Sequence, residues 1–442
     1  MTKIEFINHA SVLISHEDIS VLTDPWYEGD VFNKGWNLLV SQNIKQTKEL
    51  LDRTKYIWVT HEHPDHFAVS FFIKNREQII KNNIKILFQK TLDSRVTKFL
   101  KSKSFDVIEL DNNKTFSLSD SFKVRVIKVD FYDSAQIFEI GGKRIINLND
   151  CPFENKKELN KFAKKSGDAD LILSQFSYAA WKGGKDNKKW RESAAKEKLD
   201  MLYMQAKTLN CNKIIPFASF IYFSNKENMY LNDSHNRPSD VINFFKETDI
   251  SIFIMQPFEQ QNIFELSQDL DSVLFWDKEF NKIKDKDYFE YDKSFTIQDL
   301  QIEHNKYVQN ILKKNSKLLL YLIVKLKILN VFSDLKIYIY DQKISINLSL
   351  FKGLHITNEL QPDIKLHSNS LMFIFKNEFG FDTLTVNGNF EASKDGFKKV
   401  AQHLAIGSLN AMGRSISFFS ILKPYIYIDF LKRLFKVKKK LI

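Results

Sequence analysis

The sequence predicts an α/β protein in which two mixed β-sheets pack face to face with helices outside them, followed by a further α+β region. Three observations predict it. Many short β-rich runs arrive before the first long helix, which fits poorly with a sheet built from repeated β-α-β units. Strands and helices then alternate to about residue 260. Near residue 270 the texture becomes polar and charged, and we place a boundary there, giving segments 1–270 and 271–442. With 442 residues, 43% hydrophobic and 14% aromatic, the chain can bury more than one ordinary core.

The elements follow in order. "KIEFI", "SVLIS" and "ISVLTD" are closely spaced β-rich runs that read as an opening antiparallel meander. "KYIWVT" is a strand, as are "IKILFQ" (84–89), "FDVIEL" (105–110) and "FKVRVIKV" (122–129). "AQIFEIGGKRIINLND" (135–150) is a hairpin turned by two glycines, the strongest local hairpin signal in the chain. "ADLILSQ" (169–175) is a buried strand, 193–209 carries apolar residues at helical spacing, and "NKIIPFA" (212–218) returns as a strand. Beyond the boundary, 277–294 reads as a linker or exposed helix. The stretch 334–350 alternates like half-buried strands, 370–392 looks like two more strands joined by a turn, and 396–411 is helical.

Composition narrows the function classes. Two cysteines, Cys151 and Cys211, exclude a disulfide framework or a four-cysteine metal or iron–sulfur site within this chain, and a reducing cytoplasm is the expected home. The start lacks a signal-peptide pattern. "LLLYLIVKLKIL" (318–329) is short and interrupted by Lys325 and Lys327, so no membrane-spanning helix is expected. Part of the net charge of +11 sits in the last eleven residues and part in 182–191.

Histidine is scarce, ten in the chain, yet three crowd into "THEHPDH" at the end of the strand "KYIWVT". In extended or turn geometry residues two apart point the same way, so His61 and His63 converge on one ion. After the turn at Pro64, Asp65 and His66 reach a second. Imidazoles with a carboxylate suit Zn, Fe or Mn. The alternative is a polar loop of solvated histidines.

"THEHPDH" resembles the metallo-β-lactamase superfamily, whose fold is a four-layer αββα sandwich holding one or two metals at the sheet edges. "FINHASVLI" with His9, "LTDPW" with Asp24 and "INLNDC" with Asp150 agree with its other motifs. "TDPWYEGDVFNKGW", "GGKRIINLNDC" and "PFASFIYFSNKENMYLNDSHNRPSDV" are similar to the CMP-N-acetylneuraminate hydroxylase-like group. The resemblance covers roughly residues 1–260. It implies that His61 and His63 hold one divalent metal ion, that Asp65 and His66 serve a second, and that Asp150 bridges them. Asp24 would orient a ligating histidine, and His9 would act beside it or sit as a core histidine. A metal-activated water would be the nucleophile, with Asp65 as ligand and proton acceptor.

There are departures from the family pattern. No histidine precedes the hairpin, where Asp130 or Asp133 stands in "KVDFYDSAQ", and Ser219 occupies the position after "IIPFA". His235, downstream in "NDSHNRPSD", is the expected substitute ligand. Fewer histidines and more carboxylates lean toward Fe or Mn over Zn, with one or two ions bound. Lys182, Lys185 and Arg191, in a loop expected to overhang the site, would favour an anionic small-molecule substrate; a solvated charged loop is the alternative.

The C-terminal texture is similar to the small α/β domains of sterol-carrier type. Dimerisation into a homodimer, or a lid over the site, would fit this region too. The basic, aromatic tail suits either peripheral membrane contact or docking on the core. The first functional expectation is a metal-dependent hydrolase of a sugar phosphate, nucleotide sugar or phosphoester. The others are an iron-dependent sugar-nucleotide hydroxylase with a separate electron donor, and a non-catalytic scaffold. No nucleic-acid partner is expected, because alternating basic and aromatic residues near the motif are lacking.

Overall fold

The computed structural model describes residues 2–129, 132–358, 361–411 and 413–417. Two seven-stranded sheets dominate the first 260 residues. In the first, Gln260–Asn262, Thr2–Asn8, Ser11–His16 and Ile19–Thr23 run antiparallel, and Tyr56–Val59, Lys85–Gln89 and Asp106–Leu110 continue in parallel. The second repeats the plan. Thr115–Ser117, Phe122–Lys128, Ser134–Ile140 and Lys143–Asn149 are antiparallel, and Leu171–Gln175, Lys213–Phe217 and Ser251–Ile252 are parallel. The expected meander and Gly-Gly hairpin are both present, the latter turning at Gly141 and Gly142 with φ of 55° and 80°.

Alternation along the strands explains the layering. Trp58 faces inward with Phe6, Val12, Ile14 and Val21, against Val124, Ile137 and Ile146 of the second sheet. Its neighbours Ile57 and Val59 face outward, with Leu13 and Leu22, onto the helical layer of Leu50, Leu51 and Ile79. The parallel strand Leu171–Gln175 is buried at every position, as a strand covered on both faces should be.

Helix Leu270–Asn281 begins where the boundary was expected. Its Trp276 is fully buried and stacks on Phe220 with ring centroids 4.1 Å apart. Burial of such a side chain is worth roughly 4–6 kcal/mol before entropy. We propose that the first unit ends after this helix and not at residue 270.

The remaining chain forms a five-stranded sheet in the order Gly353–Thr357, Ile344–Ser349, Leu335–Ile339, Ile364–Leu366, Phe390–Ala392. Helices Ile297–Lys314, Ser368–Lys376, Gly380–Asn387 and Lys394–Ala411 accompany it. Two of these correct the expected strands in 370–392. Leu371, Ile374 and Phe375 are buried at helical spacing, and the His367 side chain caps the first turn by accepting from Asn369 N. Aromatic and β-branched composition pointed to strands, and tertiary packing decided otherwise.

The two regions are joined by directed contacts. Asn228 Nδ2 donates to Gly35 O at 2.9 Å and to Asn387 O at 2.6 Å, and Asn387 Nδ2 donates to Phe32 O at 3.0 Å. The Trp181 ring packs 4.7 Å from Phe390 and 4.9 Å from Phe397. No helix among the described residues is long and apolar enough to cross a membrane. The basic tail expected to meet a membrane or dock on the core lies outside the described residues from 418 onward.

Candidate metal centre

The candidate centre lies where strands of both sheets end on the same edge. Thr2–Asn8 delivers His9, Ile19–Thr23 delivers Asp24, Tyr56–Val59 delivers the histidine cluster and Lys143–Asn149 delivers Asp150. The backbone turns left-handed here at His9, Asp24, Asn149 and Ala218, with φ of 29°, 34°, 41° and 47°. Each such residue costs on the order of 1–3 kcal/mol, and such strain gathers at functional sites because the surrounding structure must hold it.

Two groups of ligand-capable atoms result, each within 4.8 Å: His61, His63 and Asp150, and His9, Asp65 and His66. His61 Nε2 is 2.8 Å from His63 Nδ1. His9 Nε2 and His66 Nε2 are each 3.4 Å from Asp65 Oδ2. Asp150 Oδ1 is 3.8 Å from His61 Nε2 and 3.6 Å from His66 Nε2, so one oxygen faces both groups. His9, expected beside the site or in the core, thus joins Asp65 and His66. Asp133 lies at the edge, with Oδ1 3.6 Å from His61 Nε2. Asp130 lies outside the described residues.

Asp24, expected to orient a ligating histidine, lies against Thr60 and His66. It accepts from Thr60 N and Thr60 Oγ1, both at 2.7 Å, and from His66 Nδ1–H at 2.8 Å. That fixes the His66 proton on Nδ1 and turns Nε2 toward the centre. Thr60 Oγ1, having donated to Asp24, can accept from His61 Nδ1 at 3.0 Å and so turns His61 Nε2 the same way.

Other expected site residues are placed elsewhere. His235 joins neither group. Its ring stacks on Phe280 at 5.8 Å and meets Tyr178 at 5.6 Å, and burial pushes its pKa down to about 3. Asn236 N donates to Ser177 Oγ, which fixes the chain beside it. Arg191 is not available to a substrate. It is buried, its Nε and Nη2 donate to Asp233 at 2.8 and 2.7 Å, and its remaining donors go to Gly184 O and Lys185 O. Lys185 Nζ lies 3.6 Å from Glu391, and Lys182 is half-buried between Trp181 and the Gly183–Gly184 turn. The loop is drawn onto the C-terminal sheet by Trp181. Ser219 Oγ accepts from Phe176 N and Ser177 N, at 3.2 and 3.1 Å.

Residues 3–158 match the family model described as a beta-lactamase superfamily domain. The N-terminal region has the metallo-β-lactamase fold. Curated relatives include cytidine monophosphate-N-acetylneuraminic acid hydroxylase of Macaca mulatta, 24% identical over 271 residues, covering 55% of this chain and 43% of that protein. The Xenopus laevis hydroxylase is 25% identical over 257 residues, covering 53% and 40%. The Homo sapiens protein, described as inactive, is 23% identical over 270 residues, covering 55% and 50%. The chain spans half or less of the length of these relatives. Among solved structures, Igni18, a metallo hydrolase from Ignicoccus hospitalis, has a TM-score of 0.40 at 14% identity, covering 59% of this chain and 97% of its own. CmlA, a diiron β-hydroxylase from Streptomyces venezuelae, has a TM-score of 0.37 at 17% identity, covering 49% and 44%.

The donor set of this metallo-β-lactamase domain fits one or two divalent ions. Asp65 Oδ1, His66 Nε2 and Asp150 Oδ1 are buried without a hydrogen-bond partner. Such orphaned groups cost roughly 1–3 kcal/mol each unless something else satisfies them. Their charge states suit a cation. Burial lowers the pKa of His9, His61 and His63, which keeps those rings neutral. Burial would raise Asp65 and Asp150, but His66 and neighbouring histidines outweigh it and hold both carboxyls below their usual range. Burial likewise pulls His66 down, yet Asp65, Asp150 and Asp24 hold it well above its usual value, so an ion binding at Nε2 would displace a proton there.

A layer of buried polar side chains that ordinary motif reading misses supports these loops. Ser134 Oγ and Gln89 Nε2 donate to Thr60 O at 2.7 and 3.1 Å, and Gln136 Nε2 donates to Trp58 O at 3.0 Å. Asn147 Nδ2 donates to Gln136 Oε1, and Asn149 Nδ2 to Ser134 O. One signal was available: Gln136 and Asn147 are polar residues inside otherwise apolar strands. Arg95 ties a further ring around the centre, donating to Glu62 at 2.9 Å and Asp93 at 2.8 Å and lying 4.4 Å over the Phe379 ring.

Proposed function

We propose that this protein is a metal-dependent hydrolase of an anionic small molecule, a phosphoester in the simplest case. The observation that carries it is the convergence of three orphaned atoms, Asp65 Oδ1, His66 Nε2 and Asp150 Oδ1, with three largely neutral imidazoles. Bound there, one or two divalent ions would acidify a water and polarise the bond under attack. His61, His63 and Asp150 would hold one ion, and His9, Asp65 and His66 the other. Asp65, whose Oδ1 is buried without a hydrogen-bond partner, would accept the proton of the attacking water. Asp24 and Thr60 keep the ligating nitrogens of His66 and His61 aimed inward. The substrate's charge would be met by the metals, since Arg191 is committed to Asp233.

The test is elemental analysis of protein purified without added metal, with bis(p-nitrophenyl) phosphate as a chromogenic probe. One to two equivalents of metal are expected, and His61→Ala and Asp150→Ala should each lose metal and turnover together. Full metal content and turnover in both variants would end this reading.

A second reading is favoured by the 23–25% identity to the sugar-nucleotide hydroxylases and by the carboxylate Asp133 at the edge of the centre. Cys151 and Cys211 are buried, free thiols, and neither joins a cluster of metal-ligating side chains among the described residues, as the cysteine and histidine ligands of a Rieske centre would. An iron-dependent hydroxylase would therefore draw electrons from a separate donor. Iron in the purified protein and oxygen uptake that depends on an added reductase would establish it, whereas exclusive zinc binding would dismiss it.

A further inference from the structure

A cavity of about 290 Å³ opens beside the metal loop, and both regions of the chain line it. Pro64, which sits between His63 and Asp65, forms one wall. Phe32 forms another, and its ring meets the His63 ring edge-on at 6.0 Å. Ser70 stands at the rim on helix Val69–Lys74. The opposite wall comes from the C-terminal region, through Phe373 of helix Ser368–Lys376 and Thr383 of helix Gly380–Asn387.

The lining chemistry selects its occupant. Besides the two phenylalanines and the proline, three aliphatic residues line the space. Asp30, exposed at the rim, is the one charged lining residue among those described. A carboxylate there opposes an anionic group, and no lysine or arginine lines the cavity to receive one. The volume is at the lower end for small-molecule pockets and suits a one- or two-ring group.

We infer that this cavity binds an uncharged, largely apolar ring of the substrate whose anionic end sits on the metals, and that Phe373 and Thr383 determine its size. The inference rests on the hydrolase reading for the position of the anionic end. It also gives the C-terminal region a place in substrate selection.

The full-length protein is titrated with 1-naphthol and 1-naphthyl phosphate by saturation-transfer NMR, metal-loaded and after chelation. 1-Naphthol should bind in both states, and 1-naphthyl phosphate at least tenfold more tightly than 1-naphthol when metal is present. Thr383→Trp, and independently Ser70→Trp on the exposed rim, should weaken both probes at least tenfold with metal content unchanged. Unaltered 1-naphthol binding in both variants, or none in the parent, overturns the inference. If metal gives the phosphate probe no advantage while both variants still exclude 1-naphthol, the cavity assignment stands and the hydrolase reading falls.

Discussion

At the scale of the residue, identical side chains serve opposite ends according to what surrounds them. His66 and His235 are both buried histidines. Three carboxylates surround His66 and one fixes its proton, so its free nitrogen faces a polar centre. His235 faces the rings of Phe280, Tyr178 and Phe223, and backbone groups of Tyr178 and Asn236 lie beside it in place of carboxylates. Sequence reading singled out the clustered histidines because their spacing is itself the signal, and assigned His235 to the site because it lay near a gap in the pattern. Replacing His235 by Phe should therefore leave the metal content unchanged. It should also flatten the acid limb of stability. The folded state holds His235 neutral down to about pH 3, while the unfolded chain takes up a proton near pH 6.5. Stability is thus lost as pH falls through that window, by up to about 1.4 kcal/mol per pH unit for one such group. Urea unfolding of H235F at pH 5 and pH 8 measures it. A gain confined to pH 5 agrees with this account; loss of bound metal would return His235 to the ligands.

At the scale of the element, the longer strands of the first 260 residues were legible from period-2 or apolar patterns closed by turn residues, whereas the short strands Trp36–Leu38, Thr115–Ser117, Ile221–Phe223 and Ser251–Ile252 were not. The Gly-Gly hairpin and the strand ending on His61 set the register of both site loops. The helices Ser368–Lys376 and Gly380–Asn387 were not legible. Their aromatic and β-branched residues carry strand propensity, and their helical state depends on burial against each other and against helices Ile297–Lys314 and Lys394–Ala411. The candidate ligands were readable one motif at a time, but the approach of His9 to Asp65 was not, because two strands must be placed before those residues meet. Close packing between elements was equally hidden. A Cβ on Gly35 would lie 2.3 Å from Asn387 Cβ and 2.9 Å from Phe32 O. Asn387 cannot retreat without breaking its bonds to Phe32 O and Asn228. Gly35→Ala should cost about 1–3 kcal/mol through overpacking, read as a lower urea midpoint at unchanged slope. Wild-type stability would show that this seam has slack.

At the scale of the whole molecule, the C-terminal region bears on the candidate metal centre, although neither ligand group among the described residues draws on it. Phe379 lies under the Arg95 guanidinium at 4.4 Å and meets the Tyr132 ring at 5.9 Å. Arg95 holds Glu62, between His61 and His63, and Tyr132 adjoins Asp133. One C-terminal aromatic side chain therefore braces two of the loops that form the site. Groups that orient ligands without touching the metal typically change its affinity by 10–100-fold. Phe379 acts one contact further out, so Phe379→Ala should weaken metal binding by about tenfold, at the lower bound of that range. Competition against a chromophoric chelator measures the affinity directly, needs no knowledge of the substrate, and separates this effect from turnover. Arg95→Gln, which removes the charge that Glu62 and Asp93 share, should weaken binding at least as much. Combining the two should add little, because both act through the same loop and coupled sites are not additive. Metal affinity unchanged in Phe379→Ala would mean that the C-terminal region lies against the centre without shaping it, and its part in the activity would then be confined to the cavity wall.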